Sequence, residues 1–253
     1  MGRLSTKCMD WVNRGAEALF PPACHFCHLP LPEAGCCEVC LPEIRPHSLD
    51  CCQRCGRALS SDLAPGPCGS CLRTTPFQQE THSLFSYHGP VRDALLAWKL
   101  GGDDAAIHWL MNASASRLSG LINADDLLLP VPMPLSRMRK SGLHHAAALA
   151  KMVAGQTGCH WDWQLLRRHG EQARQSSLSK VARRKNLRKS FYLNHDHWVE
   201  RWEPRWSENS QSGRIWVVDD IVTTGATMHY ACKALRGLKR PVYALSLART
   251  PVK

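Results

Sequence analysis

The fold is decided by the stretch Ile215-Trp216-Val217-Val218-Asp219-Asp220-Ile221-Val222-Thr223-Thr224-Gly225-Ala226-Thr227. It opens with a short apolar, β-rich run, which is typical of a buried parallel strand. Two adjacent carboxylates follow, then a small polar turn, then a helical pattern over residues 228–238. A strand, a tight turn and a helix in this order predict an α/β protein that binds ligands at the carboxyl end of a parallel sheet.

The residue types in this stretch indicate a phosphorylated ligand with hydroxyl groups. Thr223, Thr224, Gly225, Ala226 and Thr227 would place backbone N–H groups and hydroxyls at a helix N-terminus, which suits a monophosphate. Asp219 and Asp220 can only accept hydrogen bonds when ionised, so they suit neighbouring hydroxyls. Ribose 5-phosphate satisfies both ends. Two alternatives stay open on these residues alone: a structural strand end, and a Mg2+-binding acidic pocket of another α/β fold.

Four C-x-x-C pairs dominate the N-terminal third of the chain. Eleven of the 13 cysteines precede residue 72. The paired residues are Cys24 and Cys27, Cys37 and Cys40, Cys52 and Cys55, and Cys68 and Cys71. Two such turns complete a four-cysteine zinc site, so we expect two Zn2+ ions, paired either sequentially or in an interleaved way. Sequential pairing closes shorter loops and is favoured. A disulfide framework is the alternative, but it needs an oxidising compartment.

Charge separates this cysteine-rich head from the rest of the chain. The net charge is +11, yet residues 1–75 are formally neutral and the remainder holds 25 basic and 14 acidic residues. A tetrathiolate zinc site adds a charge of about −2, because its ligands are deprotonated. The head therefore suits a structural or partner-binding role better than nucleic-acid binding. Residues 1–20 lack the apolar run of a secretory signal, and no long apolar stretch predicts a membrane span, so we expect a cytoplasmic protein.

A second apolar strand, residues 127–129, ends in a loop braced by prolines. A helix with basic residues is predicted to follow this loop. The prolines make the loop rigid, and a rigid loop with basic side chains fixed beside it suits a diphosphate. The predicted pyrophosphate loop consists of Val131, Pro132, Met133, Pro134, Arg137 and Arg139. Lys99 ends an earlier helix beside Gly101 and Gly102.

Residues 215–227 resemble the phosphoribosyl-pyrophosphate (PRPP) signature of type I phosphoribosyltransferases. With the Val-Pro-x-Pro loop and the four cysteine pairs, the chain resembles the ComF family, in particular its GntX-type DNA-utilisation proteins, over residues 20–249. The resemblance implies that Asp219 and Asp220 bind the ribose hydroxyls, that the 223–227 loop binds the 5-phosphate, and that Mg2+ accompanies PRPP. Hypoxanthine-guanine enzymes carry Asp where this chain has Thr223, which argues against purine salvage. The usual Asn-Gln pair of the family is His144-His145 here, and no ligand role is carried to either residue.

Residues 167–190 form a basic segment with nine Lys or Arg and one acid, Glu171. A solvated helix face is the simplest interpretation of such a charge run. A mobile lid over the pyrophosphate is the second, with Gln175, Arg183 and Asn186 grouped with Lys99 as its candidate residues. A groove for a single-stranded DNA backbone is the third.

The predicted architecture is a type I phosphoribosyltransferase fold with a parallel-sheet core and a small four-cysteine zinc-binding domain. Residues 1–19 are a helical lead, 20–75 a zinc-ribbon-like domain, and 78–253 the phosphoribosyltransferase-like domain. Helices are expected near 90–100, 104–119 and 143–154, and a last strand over 242–248. Residues 195–213, with Trp198, Trp202 and Trp206, are predicted to be a surface loop.

Three functions remain open at this point. The resemblance implies a role in competence, that is, uptake and use of external DNA, by a PRPP-binding protein. The first function is a phosphoribosyltransferase with an unknown acceptor and no assignable catalytic base. The alternatives are a catalytically silent module that binds single-stranded DNA and a DNA-translocation or competence protein, and a regulator that senses PRPP or a nucleotide-like ligand on the same fold.

Overall fold

The computed structural model describes residues 21–60, 66–169, 190–209 and 213–251. Seven strands are present in these ranges: β1 Thr81–Ser86, β2 Leu127–Pro130, β3 His160–Trp161, β4 Leu166–Arg168, β5 Phe191–Leu193, β6 Ile215–Val222 and β7 Val242–Arg249. The helices are α1 Gly69–Arg73, α2 Gly89–Gly101, α3 Ala105–Ala113, α4 Ala115–Leu121, α5 Leu135–Ser141, α6 His145–Thr157, α7 His195–Arg201, α8 Glu203–Asn209 and α9 Ala226–Ala234. Single 3-10 turns cover Leu41–Glu43 and Arg236–Leu238.

Five parallel strands form the core sheet, in the order β1-β7-β6-β2-β3. Strand β6 lies in the middle and is buried on both faces, which is why it is apolar without alternation. Trp216 and Val218 pack into the core that includes α2, α3 and α6, whereas Ile215 and Val217 pack into the core that includes α7, α8 and α9. The predicted α/β fold, with a parallel-sheet core and an N-terminal four-cysteine region, is confirmed.

The predicted helices and the last strand are present with small shifts of their ends. The helix expected over 104–119 is interrupted at Ser114, where α3 ends and α4 begins. The helix expected from 143 begins at His145, and the last strand extends one residue further, to Arg249. The longest helices of the described ranges, α2 and α6, have 13 residues each, and none of these helices has the length and apolar character needed to cross a bilayer.

The prediction of a surface loop over 195–213 is wrong for the residues of this range that the structure describes. They form α7 and α8, and Trp198, Trp202 and Trp206 are all buried. The three indoles recur every four residues, which brings them to one side of consecutive helical turns. Trp198 and Trp206 meet edge to face at 5.4 Å between ring centroids.

A buried carboxylate holds the tryptophan helices against the sheet. Asp162 follows β3 and is 7% exposed. Its Oδ2 accepts from Trp202 Nε1 at 2.7 Å and lies 2.7 Å from His197 Nε2, while Gln164 N donates to Oδ1 at 2.7 Å. Burial raises the pKa of Asp162, but hydrogen bonds from Trp202 and His197 outweigh burial and lower it overall.

Replacing Asp162 with Asn is expected to lower the free energy of unfolding by about 2 kcal/mol at pH 7, because hydrogen bonds to a charged acceptor are lost. The folded-state pKa lies below the ordinary value of 3.8, so the carboxylate stabilises the fold above that pH. This contribution disappears as the pH falls through the folded-state pKa. Urea unfolding at pH 7 and near pH 3 measures the difference. Asp196→Asn, an exposed carboxylate on α7, is the matched control, and an equal effect of both substitutions would contradict the prediction.

Candidate functional site

The acidic pair, Asp219 and Asp220, and the turn over 223–227 that is predicted to bind phosphate (the phosphate turn below) lie at the carboxyl end of the central strand. Asp219 and Asp220 are the fifth and sixth residues of β6, and Asp220 N donates to Asp219 Oδ1 at 3.0 Å. Gly225 is in the left-handed region, with φ of +78°, and α9 begins directly after it. Since the first N–H groups of a helix have no partners within it, this turn presents donors beside two carboxylates.

The predicted pyrophosphate loop lies next to this pair, because β2 is the neighbour of β6. Pro130 is in register with Val218, and Val131 N donates to the Val218 carbonyl at 2.8 Å. The loop over 131–134 therefore begins one residue from Asp219. Arg137 and Arg139 follow on α5 with exposed side chains, and the Arg137 charge acts on Asp219.

Lys99, a predicted lid residue, lies at the acidic pair. Its Nζ is 2.8 Å from Asp220 Oδ2, and the two side chains are 29% and 14% exposed. Lys99 stands in the last turn of α2, before Gly102 closes the helix with φ of +76°. This pairing joins residues 121 positions apart, and no local sequence pattern indicates it.

The two carboxylates are electrostatically different. Burial first, and then the neighbouring Asp220 charge, raise the pKa of Asp219 to about 8. Asp220 has a cation directly opposite it in Lys99. Two adjacent acids in such different surroundings are typical of a functional site, because burying like charges together is costly unless a ligand compensates.

The eight paired cysteines form two groups, each with all sulfur atoms within 4.8 Å of one another. The first group is Cys24, Cys27, Cys37 and Cys40, and the second is Cys52, Cys55, Cys68 and Cys71. Sequential pairing is therefore confirmed.

The sulfur spacing suits a metal ion and not a disulfide. Cys27 Sγ and Cys37 Sγ are 3.6 Å apart, and Cys55 Sγ and Cys68 Sγ are 3.8 Å apart. A disulfide needs about 2.0 Å. Sulfur atoms at about 2.3 Å from a tetrahedral ion lie about 3.8 Å from each other. Both groups can thus hold a tetrahedral metal ion.

Backbone N–H groups prepare one thiol of each group for the ionised state. Phe26 N and Cys37 N donate to Cys24 Sγ, and Cys68 N donates to Cys52 Sγ at 3.1 Å. Burial raises the pKa of both thiols, but these donors outweigh it and lower the pKa to about 6 for Cys24 and about 7 for Cys52. Cys36 and Cys51, which directly precede Cys37 and Cys52, belong to neither group, and Cys8 lies outside the described residues.

Comparison with known proteins finds relatives that are similar over most of the chain. The chain is 29% identical to the DNA utilization protein YhgH of Salmonella typhimurium over 240 residues, which cover 91% of this chain and 98% of that protein. It is 24% identical to competence protein ComFC of Bacillus subtilis over 229 residues, 87% of this chain and 86% of that one. Competence protein F of Haemophilus influenzae is 25% identical over 217 residues, 83% and 88% of the two chains.

The likeness to these proteins over most of the chain supports its assignment to the ComF family. No family model matches it. These ComF relatives align over both the cysteine-rich region and the sheet, so the resemblance is not limited to the signature strand.

Two histidines take the place of the Asn-Gln pair that is usual in the ComF family. His144 caps α6, since Ala147 N donates to its Nδ1 at 3.0 Å, and its Nε2 lies 3.2 Å from Met133 N in the pyrophosphate loop. His145 is buried and meets Trp98 edge to face at 4.6 Å between ring centroids. Burial lowers the pKa of both imidazoles. These contacts give both residues structural roles beside the loop, which sequence reasoning left open.

Three predicted site residues, Gln175, Arg183 and Asn186, lie outside the described residues, as does most of the basic segment. The structure therefore brings together the acidic pair, the phosphate turn, the pyrophosphate loop and Lys99, and the lid assignment stays a prediction.

Replacing Gly225 with Ala is expected to lower the free energy of unfolding by about 1 kcal/mol, because an L-residue is strained in the left-handed region. No neighbour within 4 Å would meet the added methyl group, so backbone strain alone is expected. Gly120→Ala in α4 is the matched control: its methyl group also meets nothing within 4 Å, and helix propensity predicts a gain of about 0.5–1 kcal/mol. Urea unfolding measures both, and a gain from both substitutions would contradict the assigned backbone conformation.

Proposed function

We propose that this protein binds PRPP with Mg2+ at the carboxyl end of β6 and acts in the use of external DNA. The single observation that carries the proposal is the convergence of Asp219, Asp220 and the turn opening α9 beside the loop that follows β2. Asp219 and Asp220 would bind the ribose hydroxyls, and residues 223–227 would bind the 5-phosphate. The diphosphate would then lie toward residues 131–134, Arg137 and Arg139.

The charges at the site support a ligand of this kind. The raised pKa of Asp219 and the Lys99 pairing of Asp220 show that two carboxylates at this position are costly without a partner. Hydroxyl donors and a divalent cation both stabilise ionised carboxylates. Mg2+ would bridge the diphosphate oxygens and neutralise part of their charge.

The role in DNA use rests on the relatives. The printed names of the matching proteins describe DNA utilisation and competence. We extend that role to this chain because the alignments cover at least 83% of it. Partners would then be single-stranded DNA, through the basic segment, and a DNA-translocation or competence protein. A phosphoribosyltransferase with an unidentified acceptor and a PRPP sensor without turnover are both compatible with the same ligand.

The cysteine groups complete the proposal. We assign one Zn2+ to each group, because four thiolates at tetrahedral spacing are the usual ligands of structural zinc. Residues 20–75 would form the zinc-bound domain, and 78–253 the PRPP-binding domain.

Isothermal titration of the zinc-loaded protein with PRPP and Mg2+ tests the ligand assignment. We expect saturable binding that the Asp219→Asn/Asp220→Asn double variant abolishes, while Asp103→Asn/Asp104→Asn, an exposed adjacent pair, leaves it unchanged. Absence of heat with the wild-type protein, or undiminished binding by the double variant, would contradict the assignment.

Pyrophosphate release on the same samples separates the functions. Slow release that depends on Mg2+ and is lost in the double variant indicates a transferase that lacks its acceptor. Binding without release indicates a sensor. DNA affinity that falls steeply with salt concentration, and is lost when Arg183, Arg184 and Lys185 are neutralised together, indicates a DNA-binding module.

A further inference from the structure

The short antiparallel ribbon of β4 and β5 presents one of its faces to solvent. Leu166 and Phe191 are buried on the inner face, where they pack into the core that includes α7 and α8. Arg167 and Tyr192 are directly opposite each other and lie on the outer face, because successive residues of a strand point to opposite sides. Tyr192 is 38% exposed although its backbone is paired in the ribbon. The outer face therefore carries an aromatic ring that is open to solvent.

Four side chains with planar groups form a row on this face. The Arg167 guanidinium lies over the Trp163 indole, 5.7 Å from the ring centroid, and Trp163 is 52% exposed. The His169 imidazole stacks on the Tyr192 ring, with 4.4 Å between centroids and 28° between planes. The opposed Arg167 and Tyr192 join these two pairs across the strands. We call Trp163, Arg167, Tyr192 and His169 the stacking row.

The backbone on both sides of Trp163 is fixed by hydrogen bonds. Asp162 N donates to the Leu128 carbonyl of β2 at 2.9 Å, and Gln164 N donates to Asp162 Oδ1 at 2.7 Å. The exposed indole is thus held in place by the sheet and by a buried carboxylate. A surface that is already ordered loses little conformational entropy when a ligand binds to it.

The stacking row is basic as well as aromatic. Among the residues that the structure describes, no carboxylate forms an ion pair with Arg167. A guanidinium that stacks on an aromatic ring still has donors in its own plane, and these suit a phosphate. The basic segment over 167–190 begins on β4 and ends directly before β5, so the row lies where both ends of this segment meet the ribbon. Charge therefore favours an anionic ligand, and the rings favour one with flat groups.

We propose that the stacking row binds the unpaired bases of single-stranded DNA. Every nucleobase has a flat face that stacks on aromatic rings and on guanidinium planes, whatever the sequence. Arg167 would also donate to a backbone phosphate. The bases of a duplex stack on each other, so their faces are hidden and the row should select single strands. This inference assigns residues to the DNA-binding part of the proposed function and rests on that part, but it does not depend on PRPP binding.

Fluorescence anisotropy of a labelled oligothymidylate tests the row on the full-length, zinc-loaded protein. Trp163→Leu and Tyr192→Leu are each expected to weaken binding about tenfold, as is typical when an aromatic platform for a base is removed. Trp163→Phe retains a ring and should keep most of the affinity. Leu72→Ala, which removes an exposed apolar side chain from α1, is the matched control and should bind as the wild type does.

Two further ligands separate base stacking from charge. An abasic strand of the same length and a polyglutamate peptide are both anionic and lack bases, so the wild type should bind both more weakly than the oligothymidylate. Equal or tighter binding of either ligand, or undiminished oligothymidylate binding by both leucine variants, would overturn the proposal and leave a backbone-only DNA role standing. Absence of binding to any strand would overturn the DNA-binding part of the proposed function as well, and PRPP titration reports on the other site independently.

Photo-crosslinking gives a readout that does not depend on any variant. A strand that carries iodouracil in place of thymine is expected to crosslink to Trp163 or Tyr192 on irradiation, because the iodinated base reacts with rings stacked on it. Mass spectrometry of the digested protein identifies the modified residues. Crosslinks confined to other parts of the chain would overturn the proposal.

Discussion

Removing the bound metal is expected to unfold the cysteine-rich region while the parallel sheet persists. Residues 21–58 contain isolated β-bridges and one 3-10 turn, and the two small cores that they form, the second together with Cys68 and Cys71, consist mainly of the metal-binding cysteines. Metal binding therefore supplies folding free energy that apolar burial cannot, on the order of 10 kcal/mol per site in small zinc domains. Hydrogen exchange should show loss of amide protection over residues 23–58 after chelation, with β6 and β7 still protected.

Adjacent cysteines offer a sharp control for this result. Cys52→Ser removes a ligand of the second group, whereas Cys51→Ser changes a neighbouring cysteine outside it. Cys37→Ser and Cys36→Ser form the same comparison in the first group. Each ligand substitution should release one metal ion, and neither neighbour substitution should. Equal metal content in both members of a pair would contradict the ligand assignment, and full protection after complete chelation would contradict the folding role.

Replacing Asp219 with Asn is expected to raise stability while removing PRPP binding. The folded-state pKa of about 8 exceeds the ordinary value of 3.8, so the folded protein keeps a proton that the unfolded chain releases. Stability therefore falls as the pH rises through this window. Asparagine avoids this loss. We expect Tm to rise by at least about 3 °C at pH 8, which corresponds to about 1 kcal/mol for a chain of this length, and by nothing near pH 3.5.

The pH dependence of the Tm change distinguishes Asp219→Asn from the substitution of an exposed carboxylate. Asp125→Asn, an exposed carboxylate just before β2, should leave Tm unchanged at both pH values. Differential scanning calorimetry at pH 3.5, 6 and 8 measures the two variants beside the wild type. A destabilised Asp219→Asn variant at pH 8 would show that the carboxylate is favourably placed without ligand, and would contradict the electrostatic argument for the site.

Local sequence patterns predicted the fold and part of the candidate site. The apolar run, the acidic pair and the glycine turn are consecutive over 215–227, so strand, turn and helix could be predicted without knowing the rest of the chain. The four cysteine pairs are likewise recognisable from their spacing alone. The smaller cost of closing shorter loops favoured sequential pairing of these pairs, as the structure has it.

Features that depend on distant contacts were not predictable in this way. The ion pair of Lys99 with Asp220 forms because the last turn of α2 lies near the carboxyl end of β6. No spacing in the sequence encodes this contact. Trp198, Trp202 and Trp206 carried a usable signal in their four-residue period, but the run rich in Ser, Asn and Gln that follows them favoured a loop.

A crystal structure of the zinc-loaded protein grown with Mg2+ and PRPP tests the central proposal most directly. The proposal predicts the 5-phosphate at the N-terminus of α9, within hydrogen-bond distance of the backbone N–H groups of residues 224–227. It also predicts the ribose hydroxyls on Asp219 and Asp220, and the diphosphate beside residues 131–134. A ligand bound elsewhere, or a site that stays empty at saturating PRPP with Lys99 still paired to Asp220, would contradict it.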